Sequence, residues 1–326
     1  MKKIIPPVDK NLLEKELTES KFLRETNVGN NFIYIVTAHD SPNVMREIGR
    51  LREITFREAG GGTGKEVDID EFDTAEIPFK QLIVWNNEAK EIVSSYRFIL
   101  GKEVPLDENG YPHTPTSKLF QFSQKFIDNQ WHKTIELGRS FVQPKYQGTH
   151  NPRVGLFSLD NLWDAVGTLA VDYPDARFFL GKMTMYNSYN RLARNLILFF
   201  LRKYFKGKKE LITPFHPEKI DKRKNIFRSI FRNGSYKEDF KALNENIRDL
   251  KTSIPPLIKS YMSLSKTMKY FGVSANPEFG PVEEIAIMIK IKDINEDKKK
   301  RYIYSYKKGR SRKAEKQKRS EEIPLQ

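Results

Sequence analysis

Apolar residues along this chain recur with two periods, and the change from one to the other marks out the elements. Asn11–Thr26 (NLLEKELTESKFLRET) has helical spacing and predicts an N-terminal helix. Phe32–Ala38 (FIYIVTA) predicts a strand. Ser41-Pro42 is a cap followed by a proline at the first helical position, and the stripe through MREIGRLREITFREA continues that helix. Gly60–Gly64 (GGGTG) is a loop leading into the acidic segment Asp68–Asp73 (DIDEFD). Gln81–Asn86 and Glu91–Leu100 are β-rich runs around a polar turn, a predicted hairpin, whereas Gly101–Gln130 is turn-rich and has no clear period.

Thr134–Gln147 (TIELGRSFVQPKYQ) reads as a buried strand ending in a loop opened by Pro144. It carries two charges, Glu136 and Arg139, around Gly138, where the missing side chain lets another backbone or a ligand come close. Leu156–Asp172 predicts a helix, Arg177–Met185 a strand, and Ser188 to Phe205 a further helix. Lys206–Leu250 is basic, broken by Gly and Pro, and reads as an insertion. Ile254–Ser265 starts a short helix, and strands over Met268–Ala275 and Val282–Lys292, joined through Asn276–Gly280, close the sheet. This order predicts an α/β (α+β) fold with a mixed central sheet and helices on both faces, since the hairpins rule against an all-parallel sheet. Three stretches follow: 1–40 with the first helix and strand, a core over 41–292 with an insertion at about 206–250, and a basic tail over 293–326.

The 326 residues hold no cysteine, which excludes disulfides and thiolate chemistry and fits a reducing cytoplasm. MKKIIPPVDK lacks the apolar run of a signal peptide, and the longest apolar block, Leu196–Leu201, is too short to span a bilayer. The net charge of +15 calls for an acidic partner. Between Lys298 and Arg319, however, twelve cations face the single Glu315, so most of the excess lies in the tail and says little about the core. Neither GxGxxG nor GxxxxGK occurs, and the five histidines show no ligand spacing, so no metal site is expected.

A buried charge is costly without a counter-charge, so charged residues inside apolar elements mark either a structural ion pair or a site. Arg52 lies four residues before Phe56 on the first core helix. Asp70 lies three before Asp73, Arg97 sits in the strand SSYRF, and Glu136 lies three before Arg139. This ordered set resembles the GNAT branch shared by acyl-homoserine-lactone synthases and the ornithine and glycine lipid (hemolysin-like) N-acyltransferases. IPPLIKSYMSLS, the PEFG turn and VEEIAIMI resemble the closing segment of the lipid-forming enzymes, which the autoinducer synthases do not share. The likeness covers about Val44–Ile291 apart from the insertion; the usual pyrophosphate loop is replaced by QGTHNPRVG, Gln147–Gly155.

The resemblance implies a GNAT-like fold and transfer of a 3-hydroxy fatty acyl group from acyl carrier protein, or from acyl-CoA, to the α-amine of glycine or ornithine. No cofactor would be bound permanently; the acyl-phosphopantetheine thioester is a co-substrate. Glu136 is the candidate base for the amine, or else a brace for Arg139 and Arg97. Arg52, Phe56, Asp70, Asp73 and Arg97 would line the acceptor pocket with Arg139, an arginine binding the amino acid's carboxylate and an aspartate its ammonium. Backbone near Phe141 and Val142 would polarise the carbonyl. Lys145, Arg153 and Gly155, at the start of the Leu156 helix, would hold the carrier's phosphate. Tyr186 is the candidate acid for the leaving thiolate, with Tyr189 beside it; packing is the favoured reading of each.

Arg191–Lys209 is an apolar helix face fringed by cations, suited to packing on a sheet or to a membrane interface. The tail, with Tyr302, Tyr304 and Tyr306 among its cations, suits an anionic membrane surface, acyl carrier protein or RNA. A lipid product favours the membrane, on its inner face, with an O-acyltransferase as pathway partner and nucleic acid disfavoured. The competing readings are a basic RNA- or membrane-binding protein on an inactive acyltransferase scaffold and an autoinducer synthase-like enzyme.

Overall fold

The computed structural model describes residues 1–148, 152–208, 210–217, 224–232 and 234–307, without the side chains of 152–154, 156, 224 and 225. Ten strands are β1 (Phe22–Glu25), β2 (Phe32–Val36), β3 (Lys80–Asn86), β4 (Glu91–Leu100), β5 (Phe120–Phe122), β6 (Thr134–Val142), β7 (Phe178–Tyr186), β8 (Ile212–Pro214), β9 (Lys269–Ala275) and β10 (Val282–Lys290). The helices among the described residues are α1 (Lys10–Glu16), α2 (Pro42–Glu58), α3 (Glu71–Thr74), α4 (Gln124–Asn129), α5 (Pro152–Asp172), α6 (Arg191–Tyr204), α7 (Lys224–Ile230), α8 (Tyr236–Asp249), α9 (Pro256–Leu264) and α10 (Glu296–Lys298).

Eight strands form one sheet in the order β1-β2-β3-β4-β6-β7-β10-β9. Only β6 and β7 run parallel in it. Alternation along each strand sends side chains to opposite faces. Tyr34, Ile83 and Phe141 bury one face against Val44, Ile48 and Leu51 of α2. Leu82, Leu137, Met183 and Ile285 bury the other against Leu162 and Val166 of α5 and Leu196 and Phe200 of α6. The expected mixed sheet with helices on both faces is therefore present, and the apolar stripe of α6 is spent on packing. Among the described residues no helix is long and apolar enough to cross a membrane.

One departure from the sequence reading has a local cause. The first helix stops at Glu16, and residues from its expected second half form β1. Phe22 there packs edge-on against Phe32 and Tyr34 of β2, ring centroids 5.5 and 5.6 Å away, a cross-strand gain that helical spacing alone does not reveal. Elements of the basic stretch read as an insertion, 206–250, pack on the rest of the chain. Its β8 pairs with β5 from the turn-rich segment, and Leu243 and Ile247 of α8 join the core beside α6.

After β10 the chain forms α10 and then a π-helical turn over Lys299–Tyr304, and the turn lies on α5. Tyr302 and Tyr306 are buried, and the Tyr302 hydroxyl donates to Asp160 Oδ1 at 2.7 Å. Residues 293–307 of the predicted tail are thus packed; 308–326 lie outside the described residues.

Candidate active site

The parallel pairing of β6 with β7 runs from Thr134↔Phe178 to Leu137↔Gly181 and then ends. Beyond it β6 follows β4 and β7 follows β10, so the two central strands part. The β4–β6 register passes from Arg97↔Gly138 to Ser95↔Phe141, which sets two residues, Arg139 and Ser140, against Tyr96. This is a β-bulge, and Arg139 takes the left-handed φ of 50° to make it. A cavity of about 1200 Å³ opens at the wedge. The end of α2, the start of α5, the start of α9 and the turn through Phe279 complete its walls.

Its charged wall is built around α3. Asp70 caps that short helix, accepting from the Phe72 and Asp73 N–H groups, while the Asp73 carboxylate accepts from the Asp70 N–H. Arg97 clasps Asp70 with two hydrogen bonds of 2.7 and 2.9 Å and stands 3.0 Å from Asp73 Oδ2. Arg52, fully buried, donates to Asp73 Oδ2 at 2.9 Å and to Gln81 Oε1 at 2.7 Å. Arg139 Nε lies 3.0 Å from Asp68 Oδ2 and Nη2 3.7 Å from Asp70, with the guanidinium 4.2 Å above the Phe279 ring. Burial opposes ionisation of Asp70 and Asp73, but the surrounding arginines outweigh it and hold both carboxyls below their usual range. At Asp68 burial prevails over Arg139 and pushes the carboxyl up.

The predicted ionised residues therefore do converge, but in two layers. Asp70, Arg97, Glu136 and Arg139 line the cavity; Arg52 and Asp73 sit behind that wall. Glu136 braces neither Arg139 nor Arg97. Its Oε1 accepts from the Thr116 N–H at 3.0 Å and hydroxyl at 2.6 Å, and its Oε2 is buried with no hydrogen-bond partner among the described residues. Lys182 Nζ donates to the same Thr116 hydroxyl at 2.8 Å. Glu284 on β10 accepts from the Thr184 hydroxyl at 3.1 Å and from Asn276 at 3.4 Å. Burial pushes the Lys182 ammonium below the ordinary lysine range against the pull of Glu136 and Glu284, and pushes the Glu284 carboxyl up against that of Lys182.

Phe56, Phe141, Val142 and Tyr186 line the cavity. Burial, with Glu284 nearby, pushes the Tyr186 phenol well up. Tyr189 is off this wall, its hydroxyl donating to the Ser253 carbonyl at 2.9 Å. Lys145 is likewise off it, paired with Glu91. Gly155 reaches the wall where α5 meets Gly148, a contact so close that a Cβ would lie 2.0 Å from the Gly148 nitrogen. The Arg153 side chain lies outside the described residues. Sequence reading missed Thr116, Lys182 and Glu284. The two charges carried the signal that revealed Glu136, an ionisable residue inside an apolar strand (RFFLGKMTM and VEEIAIMI), whereas Thr116 stands in a segment without periodicity. Among the described residues no group of acidic or histidine side chains is arranged to hold a metal.

The site is therefore a slot between parted strands, with a bulge that breaks the ladder beside it and a buried carboxylate on its wall. A family model described as an acetyltransferase (GNAT) domain matches residues 51–155. A protein of Bacteroides thetaiotaomicron described as glycine N(alpha)-acyltransferase is 53% identical over 306 residues, 94% of this chain and 91% of the relative. One of Phocaeicola vulgatus with the same description is 52% identical over 306 residues, 94% of each chain. No solved structure matches. By its fold, its cleft and this identity along nearly its whole length, the chain belongs to the family of GNAT-fold amino-acid N-acyltransferases that includes these two bacterial proteins.

Proposed function

We propose that this enzyme moves a 3-hydroxy fatty acyl group from the phosphopantetheine thioester of acyl carrier protein to the α-amine of glycine. Both relatives' descriptions name glycine, which favours it over ornithine. The observation that carries the reading is Glu136, buried on the cavity wall with one oxygen anchored by Thr116 and the other unengaged. An amino acid's amine is mostly protonated at neutral pH, since even a peptide α-amine has a pKa of about 8. Glu136 removes one proton, and the freed lone pair attacks the thioester carbon.

The carbonyl oxygen gathers charge as the C–N bond forms, and backbone N–H groups past the bulge, towards Phe141 and Val142, donate to it. One such donor contributes about 3–4 kcal/mol to lowering the barrier. Collapse breaks the C–S bond. Tyr186, which keeps its proton at neutral pH, passes it to the thiolate while the nitrogen sheds its last surplus proton through water. Asp70, Arg97 and Arg139 shape the acceptor side, with Arg52 and Asp73 holding them from behind. The start of α5 around Gly155 receives the carrier's phosphate; Lys145, tied to Glu91, takes no part in that contact. The lipid product places the enzyme on the inner membrane face, supplying an O-acyltransferase.

Purified protein with hydroxyacyl carrier protein, hydroxyacyl-CoA and each amino acid in turn tests the reading by mass spectrometry. N-acylglycine made faster from the carrier protein is expected. Faster turnover with CoA, or with ornithine, overturns the donor or the acceptor assignment respectively.

A further inference from the structure

Arg97 already faces two carboxylates, Asp70 and Asp73, and Arg139 faces Asp68 and Asp70. Neither is the natural seat for a second carboxylate brought by the acceptor. Lys182 differs. It projects from β7 onto the cavity wall, with a neutral hydroxyl, Thr116, as its hydrogen-bond partner. Among the described residues no carboxylate lies within 4.0 Å of its nitrogen, which leaves two N–H groups uncommitted. It is partly exposed, into the cavity it lines.

We infer that Lys182 is the anchor for the acceptor's α-carboxylate, holding the amino acid with its nitrogen toward Glu136. Thr116 sets the two fixed charges one hydroxyl apart, accepting from Lys182 and donating to Glu136. An α-amino acid carries the opposite pair of charges one carbon apart, so it bridges them in one orientation. The same strand geometry enforces this. The parallel pairing ends at Gly181, so Lys182 is the first β7 side chain on that face past the fork, and Glu136 is the last on the β6 side before it. Glu284 lies two residues along the β10 partner strand from the position opposite Lys182; burial lowers the Lys182 ammonium, and Glu136 and Glu284 pull against that lowering. An amine without a carboxylate would leave the Lys182 N–H groups without a partner on the acceptor, which is how a polar pocket rejects an analogue.

The inference rests on the acceptor being an amino acid, and the test separates the two. Initial rates are compared for glycine and glycinamide, with hydroxyacyl carrier protein saturating, in the wild-type chain and in Lys182→Met and Lys182→Arg. The wild type is expected to prefer glycine. Lys182→Met is expected to raise the glycine KM and cut the glycine-over-glycinamide ratio of kcat/KM by roughly ten- to a hundred-fold, the range of a hydrogen bond to a charged group. Lys182→Arg, which restores the charge, should recover part of that ratio. A merely structural lysine would slow both acceptors alike and leave the ratio unchanged, which overturns the inference. Should Lys182→Met not fold, Lys182→Arg and the wild type decide alone: a wild type indifferent to the carboxylate, or an arginine variant whose ratio and glycine KM match the wild type's despite the displaced cation, rejects the anchor. A wild type that acylates no amino acid rejects the acceptor reading instead.

Discussion

Arg97 and Asp73 meet inside the protein, Nη1 to Oδ2 at 3.0 Å, with both side chains essentially out of water. Asp73 also holds Arg52 at 2.9 Å, so one buried carboxylate joins a helix residue to a strand residue behind the cavity wall. Removing one member of such a set leaves the others charged and uncompensated. Asp73→Asn should therefore cost about 3–5 kcal/mol of unfolding free energy, read by urea titration. A cost below about 1 kcal/mol would show that the arginines find other partners. Because the Asp73 carboxyl is held below its usual range, its contribution is present above about pH 4 and fades as the pH falls further.

Glu136 is also buried, but its task differs. Glu136→Gln keeps the shape and leaves an amide oxygen to accept from Thr116. We expect kcat to drop roughly a hundred- to ten-thousand-fold, with the melting temperature little changed. Full turnover in this variant would remove Glu136 from the role of base.

Gly138 faces the cavity, and a Cβ built there would meet nothing nearer than Arg97 Nε at 3.6 Å, an ordinary contact. No neighbouring backbone needs the missing side chain, and the space it leaves opens into the cavity. Gly138→Ala should leave stability within about 0.5 kcal/mol, as for substitutions that break no contact, yet raise the KM for the acyl donor. Unchanged donor kinetics would show that the thioester arm passes elsewhere. Gly167→Ala is the contrast. There a Cβ would lie 2.4 Å from the Tyr302 carbonyl oxygen, so the C-terminal segment must shift off α5.

Asp164 on α5 accepts from the Asn27 N–H at 2.8 Å, and burial pushes its carboxyl from 3.8 up to about 6. The folded state then binds a proton more readily than the unfolded chain between those values, so this group's share of stability falls as pH rises from about 4 to 6 and is flat above. Asp164→Asn should gain on the wild type over that interval by up to roughly 3 kcal/mol. Denaturant titrations of both chains at pH 4, 5, 6 and 7 measure it; a difference that does not move with pH contradicts the sign.

Much of the site was legible because a charge inside an apolar strand conflicts with its surroundings, and Arg97, Glu136 and Arg139 all stand out that way. The same signal was present at Lys182 and Glu284 and passed unread, since neither belongs to the ordered charge set that carries the family resemblance. The N-terminal stretch misled for another reason. Residues 22–25 have helical spacing, but their stabilisation comes from pairing with β2, and local propensity yields to that gain.

Periodicity alone determined the kinds and order of most core elements, the mixed sheet and the positions of the ionised residues, because each follows from a side chain's place relative to its near neighbours. Which charges meet was decided only by the folded chain. Glu136 takes Thr116 twenty positions away, and Lys182 takes it from sixty-six, because the β6–β7 fork and the register of β10 bring those strands' polar faces together. Strand order sets those distances, and it is a property of the whole sheet that no local run of residues contains.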